Sequence, residues 1–333
     1  MNILINDSTL RDGQHAVKHQ LTVAQLQDYA TAADKAGVAI VEVGHGNGLG
    51  ASSHQVGRAA LSDETMLTAV RESLRKSKMG VFMLPGWGVI ADLSKALACG
   101  ADVVRIGIHC TEATLAERHL GWLREQGVEA HAVLMMSHMA TPQQLAAQAG
   151  LLVEYGAQAV GIMDSAGNLL PHDVTARIAA MKLQVEVPLI FHAHNNLGMA
   201  VANSVAAVQA GASIVDGCAC GFGAGAGNTQ LEVLIPVLAR LEFNTGIDLY
   251  HFLDAAELVA RELMVTMPMI DSIGIVSGLA GVFSGFKSPV LNHAGSAGID
   301  PRDVFFELGR RQVVAGQEDI IVEVVAQMKR AGM

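Results

Sequence analysis

Two short stretches, far apart in the chain, carry residue types that catalysis uses. The first is Asn6-Asp7-Ser8-Thr9-Leu10-Arg11-Asp12-Gly13-Gln14-His15. Within five residues it offers a fixed planar cation in Arg11, a hard oxygen ligand or base in Asp12, and in His15 an imidazole that can move protons near neutral pH. Gly13 lets the chain turn between them at little steric cost. The second is Phe191-His192-Ala193-His194-Asn195-Asn196. On an extended strand, residues i and i+2 share a face, so His192 and His194 point the same way. With one carboxylate they make a facial ligand set that leaves positions open for substrate and water. Each stretch alone also has an ordinary reading. A charged strand-to-loop junction is often a solvated turn, and H-x-H is often a surface or core pair. The pair means more only if the fold brings the two together.

The elements between them are laid out to do that. Apolar runs at 3–7, 39–43, 80–84, 103–108, 130–136, 159–163, 188–191 and 213–216 read as strands. Helical segments separate them, opened by cap residues at Thr22 and Ser62 and by the capping box Thr141-Pro142-Gln143-Gln144. Several end at glycine: Gly37, Gly100, Gly127, Gly156 and Gly211. Eight strand–helix units in about 240 residues have the count and size of a (β/α)8 TIM barrel. The strands are continuous apolar runs, as burial on both faces requires. A doubly wound open sheet is the alternative, but the first strand–helix turn lacks its G-x-G-x-x-G. From about Asp248 only helices are predicted, at 252–264, 303–310 and 319–328, with a Gly/Ser-rich stretch at 273–285. The expected division is a catalytic barrel at 1–245 and a C-terminal helical region at 246–333, suited to docking a partner.

In such a barrel, polar residues at the C-terminal ends of strands face one mouth. That places Arg11, Asp12, His15, His45, His109, His138, Asp164, Ser165, His192 and His194 around a common space. Barrel closure sets strand one within reach of strand seven across strand eight. His45, His109 and His138 read more readily as core histidines holding loops. The glycine-rich run 221–227 has the look of a phosphate cradle, but it lacks the Lys and Ser/Thr of a P-loop, and a tight loop at the mouth is the other reading. A Schiff-base route needs a lysine inside the barrel. None of the eight lysines falls in a predicted strand, which favours a metal route.

Composition narrows the class. The chain is 51% hydrophobic and 16% charged, which favours a large core over disorder. With 4% aromatics, that core must be aliphatic. A net charge of −10 argues against nucleic acid as a partner. The cysteines, Cys99, Cys110, Cys218 and Cys220, are too sparse for a zinc framework and read as buried thiols. No secretory leader and no bilayer-spanning run is visible, so a reducing, cytoplasmic setting is expected.

Asp7-Ser8-Thr9-Leu10-Arg11-Asp12-Gly13 together with His192-Ala193-His194-Asn195 resembles the signature of the DRE-type TIM-barrel metallolyases. Further stretches resemble its 4-hydroxy-2-oxovalerate aldolase branch: 9–15, 42–46, 109–113, 134–139, 223–228 and 316–319. The likeness covers essentially the whole chain. It implies that Asp12, His192 and His194 hold a divalent metal, often Mn2+ in this family, with Mg2+ or Co2+ as alternatives. It also implies a pyruvate aldolase of class II type acting on a 4-hydroxy-2-oxo acid. His15 would take the C4 hydroxyl proton, Arg11 with the metal would stabilise the pyruvate enolate, and Ser165 would meet the substrate carboxylate, with His192 and residue 283 also against substrate. This chain departs from the family at Phe283, where a tyrosine hydroxyl is expected near C4, at Asn47, where aspartate is usual, and at Lys287-Ser288-Pro289. Family members pair with an acylating aldehyde dehydrogenase, so that partner is expected, as is a homo-oligomer. A Claisen-type acyl-CoA lyase or synthase of the same superfamily and a non-catalytic metal-binding scaffold are the alternatives. His15 and the aldolase-like middle and C-terminal stretches weigh against the first.

Overall fold

The computed structural model describes residues 1–314 and 316–331. Its sheet is β1 (Leu4–Leu10), β2 (Ile40–Val43), β3 (Lys78–Met83), β4 (Val103–His109), β5 (Glu129–Met135), β6 (Ala159–Asp164), β7 (Leu189–Ala193) and β8 (Ile214–Gly217). All eight strands are parallel and close in sequence order, with β8 pairing back onto β1. Around them lie α1 (Val23–Ala36), α2 (Asp63–Ser73), α3 (Ile90–Ala98), α4 (Glu117–Glu125), α5 (Pro142–Tyr155), α6 (Pro171–Gln184), α7 (Ala200–Ala210) and α8 (Leu231–Arg240). This is the expected TIM barrel. Local chemistry sets the helix ends where the sequence places them. Thr22 and Gln25 form a reciprocal capping box at the start of α1, and Gly37, at φ +85°, ends that helix. Thr141 and Gln144 do the same for α5, with Pro142 at its first turn.

Two strands run two or more residues beyond the C-terminal ends their apolar runs suggest. β1 continues to Leu10 because its polar residues satisfy one another inside the fold: Thr9 donates its backbone N–H and its hydroxyl to Asp7 Oδ1, and the Tyr29 hydroxyl donates to Asp7 Oδ2. β7 continues through Ala193, which carries His192 within the strand. One lysine, Lys78, does begin a strand, contrary to expectation. It stands exposed at the N-terminal end of β3, beside Glu129 and opposite the mouth, so it offers no Schiff-base nucleophile.

After the barrel come α9 (Leu249–Leu258), α10 (Ser272–Ala280), α11 (Lys287–Ala297), α12 (Pro301–Arg310) and α13 (Asp319–Arg330). α9 packs against α1, and its Phe252, Ala255 and Ala256 join the main core. A separate apolar core, built around Phe286, Val290, Phe305, Leu308, Ile321 and Val324, holds the last four helices together. The Gly/Ser-rich stretch is helical through Ala280 as α10. Its small residues are a docking face: a Cβ at Gly278 would stand 2.9 Å from that of Asn196. Asn168 donates to the Gly278 carbonyl at 2.7 Å and Asn196 to the Gly274 carbonyl at 3.1 Å, tying α10 to the barrel mouth. Among the described residues no helix is long and apolar enough to cross a membrane.

Candidate active site

Asp12 opens a short 3-10 turn directly after β1, while His192 lies near the end of β7 and His194 directly after it. Ring closure through β8 brings these ends together. One ligand atom from each of Asp12, His192 and His194 lies within 4.8 Å of the others, and all three residues are buried. His194 Nε2 is 3.7 Å from Asp12 Oδ2.

The second nitrogen of each imidazole is already committed. His192 Nδ1 donates to Asp216 Oδ2 at 3.1 Å, and His194 Nδ1 to the Ser165 carbonyl at 2.9 Å. Each ring is thereby held in the tautomer that leaves Nε2 unprotonated, which is how metal-binding histidines are oriented. Burial would push Asp12 up, but Arg11, His194 and His15 outweigh it and hold the carboxyl well below the usual range. Burial also lowers His192, with Asp216 opposing. An ionised carboxylate and two imidazoles, each ring secured from behind through Nδ1, fit a divalent cation.

Arg11 is clamped on three sides. Its Nε donates to Glu42 at 2.7 Å, its Nη1 to Asp12 at 2.8 Å and to the Gly46 carbonyl at 3.2 Å. Its guanidinium lies 4.7 Å from the centre of the Phe82 ring. Nη2 remains buried without a partner. His15 stands one turn on, its Nε2 4.0 Å from Asp12 Oδ1. Burial pushes its imidazole down to about 4, so it is neutral at pH 7 and able to accept a proton.

These groups line one small cavity of about 30 Å³, with Ser165 and Phe283 on its wall. Arg11, Asp12, His15, Ser165, His192, His194 and Phe283 therefore all meet, and Asn47 joins them. The Ser165 hydroxyl also accepts the Met136 N–H at 3.0 Å. His109 and His138 lie outside this cavity. His45 is buried behind it, bonded to the Gly57 carbonyl and the Asn47 N–H, and stacked 3.7 Å from His19. The glycine-rich run is a tight loop. A Cβ at Gly223 would stand 2.7 Å from Asp12 Oδ2, so backbone alone fits there.

Several buried groups were not anticipated. Asn228 donates to Asp12 from the end of that loop. Glu42, Arg105 and Asp216 form a charged layer inside the barrel, where Arg105 bonds both carboxylates. The signal for these three was present: each is a charge within an otherwise apolar strand, at a position that alternation turns inward.

A barrel with this ligand set at its mouth falls in a known class. The HMGL-like family model matches residues 2–259, and that of the DmpG-like communication domain matches residues 268–330. The carboxyl transferase domain of Rhizobium etli pyruvate carboxylase shares the fold at a TM-score of 0.82 with 16% identity, over 99% of this chain and 60% of that one. Sequence relatives place the chain more closely. A 4-hydroxy-2-oxovalerate aldolase of Serratia proteamaculans is 86% identical over 99% of both chains. One of Streptomyces griseus is 67% identical over 99% of this chain and 97% of its own. The chain belongs to the 4-hydroxy-2-oxovalerate aldolase family, within the HMGL-like barrels.

Proposed function

We propose that this chain is a carbon–carbon lyase, a divalent-metal-dependent aldolase that cleaves a 4-hydroxy-2-oxo acid such as 4-hydroxy-2-oxovalerate to pyruvate and an aldehyde. The observation that carries the reading is the convergence of Asp12, His192 and His194, with His15 and the free Nη2 of Arg11 beside them. Asp12, His192 and His194 would hold a divalent cation, which would supply Lewis-acid polarisation of the substrate's 2-oxo group. The donor set of one carboxylate and two imidazoles suits Mn2+ or Co2+ better than Mg2+, which favours oxygen ligands, and Mn2+ is our assignment.

His15 takes the proton of the C4 hydroxyl. The C4 oxygen becomes the aldehyde carbonyl, the C3–C4 bond breaks, and its electron pair passes to C3 and the C2 oxygen as pyruvate enolate. Arg11 meets that developing negative charge with a donor already fixed in place, so little reorganisation is needed. Ser165 meets the substrate carboxylate. A proton delivered to C3 completes pyruvate, and the reverse direction adds pyruvate to an aldehyde. Phe82, Leu84, Met135, Met163 and Phe283 give the cavity an apolar wall that limits water.

The test is pyruvate release from a panel of 4-hydroxy-2-oxo acids of varied chain length and both C4 configurations. Release should vanish with EDTA and return with Mn2+. No pyruvate from any member with metal restored would remove the reading. Free-thiol release from acetyl-CoA would move it to the Claisen branch.

For the C-terminal part, we infer that the segment from Val265 onward docks an acylating aldehyde dehydrogenase that receives the aldehyde. The communication-domain match and the exposed Val265, Met267, Met269 and Leu279 support this. Because α9 packs with the barrel core, we set the division between catalytic and docking parts after Leu263, later than residue 245. Co-elution with such a dehydrogenase, lost on Met269→Asp, tests the docking. Light scattering tests the expected homo-oligomer.

A further inference from the structure

Arg105 lies midway along β4 with its guanidinium inside the barrel and 1% of its surface exposed. Its Nη1 donates to Glu42 Oε2 at 2.8 Å and its Nη2 to Asp216 Oδ2 at 2.6 Å. Both carboxylates have a second task. Glu42 Oε1 accepts from Arg11 Nε at 2.7 Å, and Asp216 Oδ2 accepts from His192 Nδ1 at 3.1 Å. One guanidinium thus holds the carboxylate that aims Arg11 and the carboxylate that sets the tautomer of His192. The chain Arg11–Glu42–Arg105–Asp216–His192 alternates in sign along its four charged members and ends on an imidazole. No side chain in it is more than 4% exposed.

Stability does not account for this layer. Barrel interiors are filled mainly by Val, Ile and Leu. Taking ion pairs out of water is costly, and apolar replacements of similar volume are often neutral or stabilising. What a planar guanidinium adds is geometry: two nitrogens in one rigid fork, each facing a different carboxylate. The two ends of the chain reach the same cavity from the turn after β1 and from β7, strands that only β8 separates in the ring.

We propose that Arg105 is a positioning residue for the aldol cleavage, a rigid bridge that fixes Arg11 and His192 relative to each other without touching substrate. This rests on the metal site and on the role of Arg11 proposed above. It predicts that a lysine, which keeps the charge but has a single nitrogen, cannot hold both arms.

The experiment is calorimetric titration of metal-free Arg105→Lys with Mn2+, alongside pyruvate formation at saturating Mn2+. The variant's Mn2+ Kd should rise about 10-fold or more, the scale for losing an outer partner of a metal-ligating histidine. Its kcat should also fall at saturating metal, with KM changing less. A purely structural role would lower the melting temperature and leave both readouts at the parent value, and that result overturns the proposal. If Arg105→Lys does not fold, the charge-balanced pair Arg105→Met with Glu42→Gln takes its place, which leaves Asp216 on His192. Weakened Mn2+ binding there supports the bridge, and parental binding overturns it. If neither folds, Arg105 is a folding requirement and the proposal falls. A parent protein that binds no Mn2+ removes the metal-site reading itself, which is a different failure.

Discussion

The barrel interior and the C-terminal core handle burial in opposite ways. Inside the barrel, Arg11, Glu42, Arg105 and Asp216 are buried as charges and bonded to one another. In the C-terminal region, the buried layer is made of aliphatic and phenyl side chains, and the Arg311 pairs with Glu307 and Glu323 lie outside it. The second arrangement is what stability alone produces. The first spends stability to hold cations and carboxylates at fixed separations. Chemistry is therefore expected where burial is electrostatically awkward, and docking where it is not.

The comparison breaks first at the ligands. His194→Ala should abolish Mn2+ binding and lower pyruvate formation by roughly 10³-fold or more, the scale of losing an electrostatic stabiliser in a dry site. Calorimetry and a pyruvate assay check both halves, and near-parental activity would leave the polar interior without a purpose. His15→Ala should lower kcat by about 10²–10³-fold, the range for a general base, while Mn2+ affinity stays at the parent value. Loss of metal binding with it would move His15 from proton transfer to ligation.

Phe305→Ala should destabilise the C-terminal core by about 3–5 kcal/mol. Hydrogen exchange should then rise in α10 to α13 while barrel strands and Mn2+ affinity hold. Exchange rising equally in β1 to β8 would mean the two cores unfold as one. Acid should act on the join between them. Burial pushes the His138 imidazole, packed against Gly281, down to about 4, against about 6.5 in an unfolded chain. The folded state therefore binds fewer protons in that window. The contribution is fully present above pH 6.5 and is lost as pH falls through 4. Exchange in α10 should rise over that span, and His138→Gln should flatten the dependence. The smallest effect is expected at Phe283→Tyr. One added hydrogen bond, worth about 1 kcal/mol, should raise discrimination between C4 epimers about fivefold, read as the ratio of their kcat/KM values.

Strand and helix order was legible because each unit carries its own local signal. The caps at Thr22 and Thr141 and the glycine stop at Gly37 act within a few residues of where they are written. The convergence of Asp12, His192 and His194 was legible because closure in sequence order leaves only β8 between β1 and β7, and H-x-H aims both imidazoles one way. What escaped depends on contacts between distant segments. Asn228 becomes a partner of Asp12 only once the glycine-rich loop has folded back over β1. α10 is helical despite its glycines because Gly274 and Gly278 let it settle against Asn196. Arg105 and Asp216 were visible as isolated charges, but their pairing needs the two sides of the barrel facing each other.

The closure of β8 onto β1 has a consequence for how the protein matures. Asp12 leaves the ribosome about 180 residues ahead of His192 and His194. At ordinary synthesis rates that interval is roughly 10–35 s. Throughout it, the aspartate waits without its imidazole partners, and a nascent chain offers no complete cage. A cation held by these three side chains would therefore bind only once the ring is complete, as a late check on the finished barrel rather than a seed for its folding.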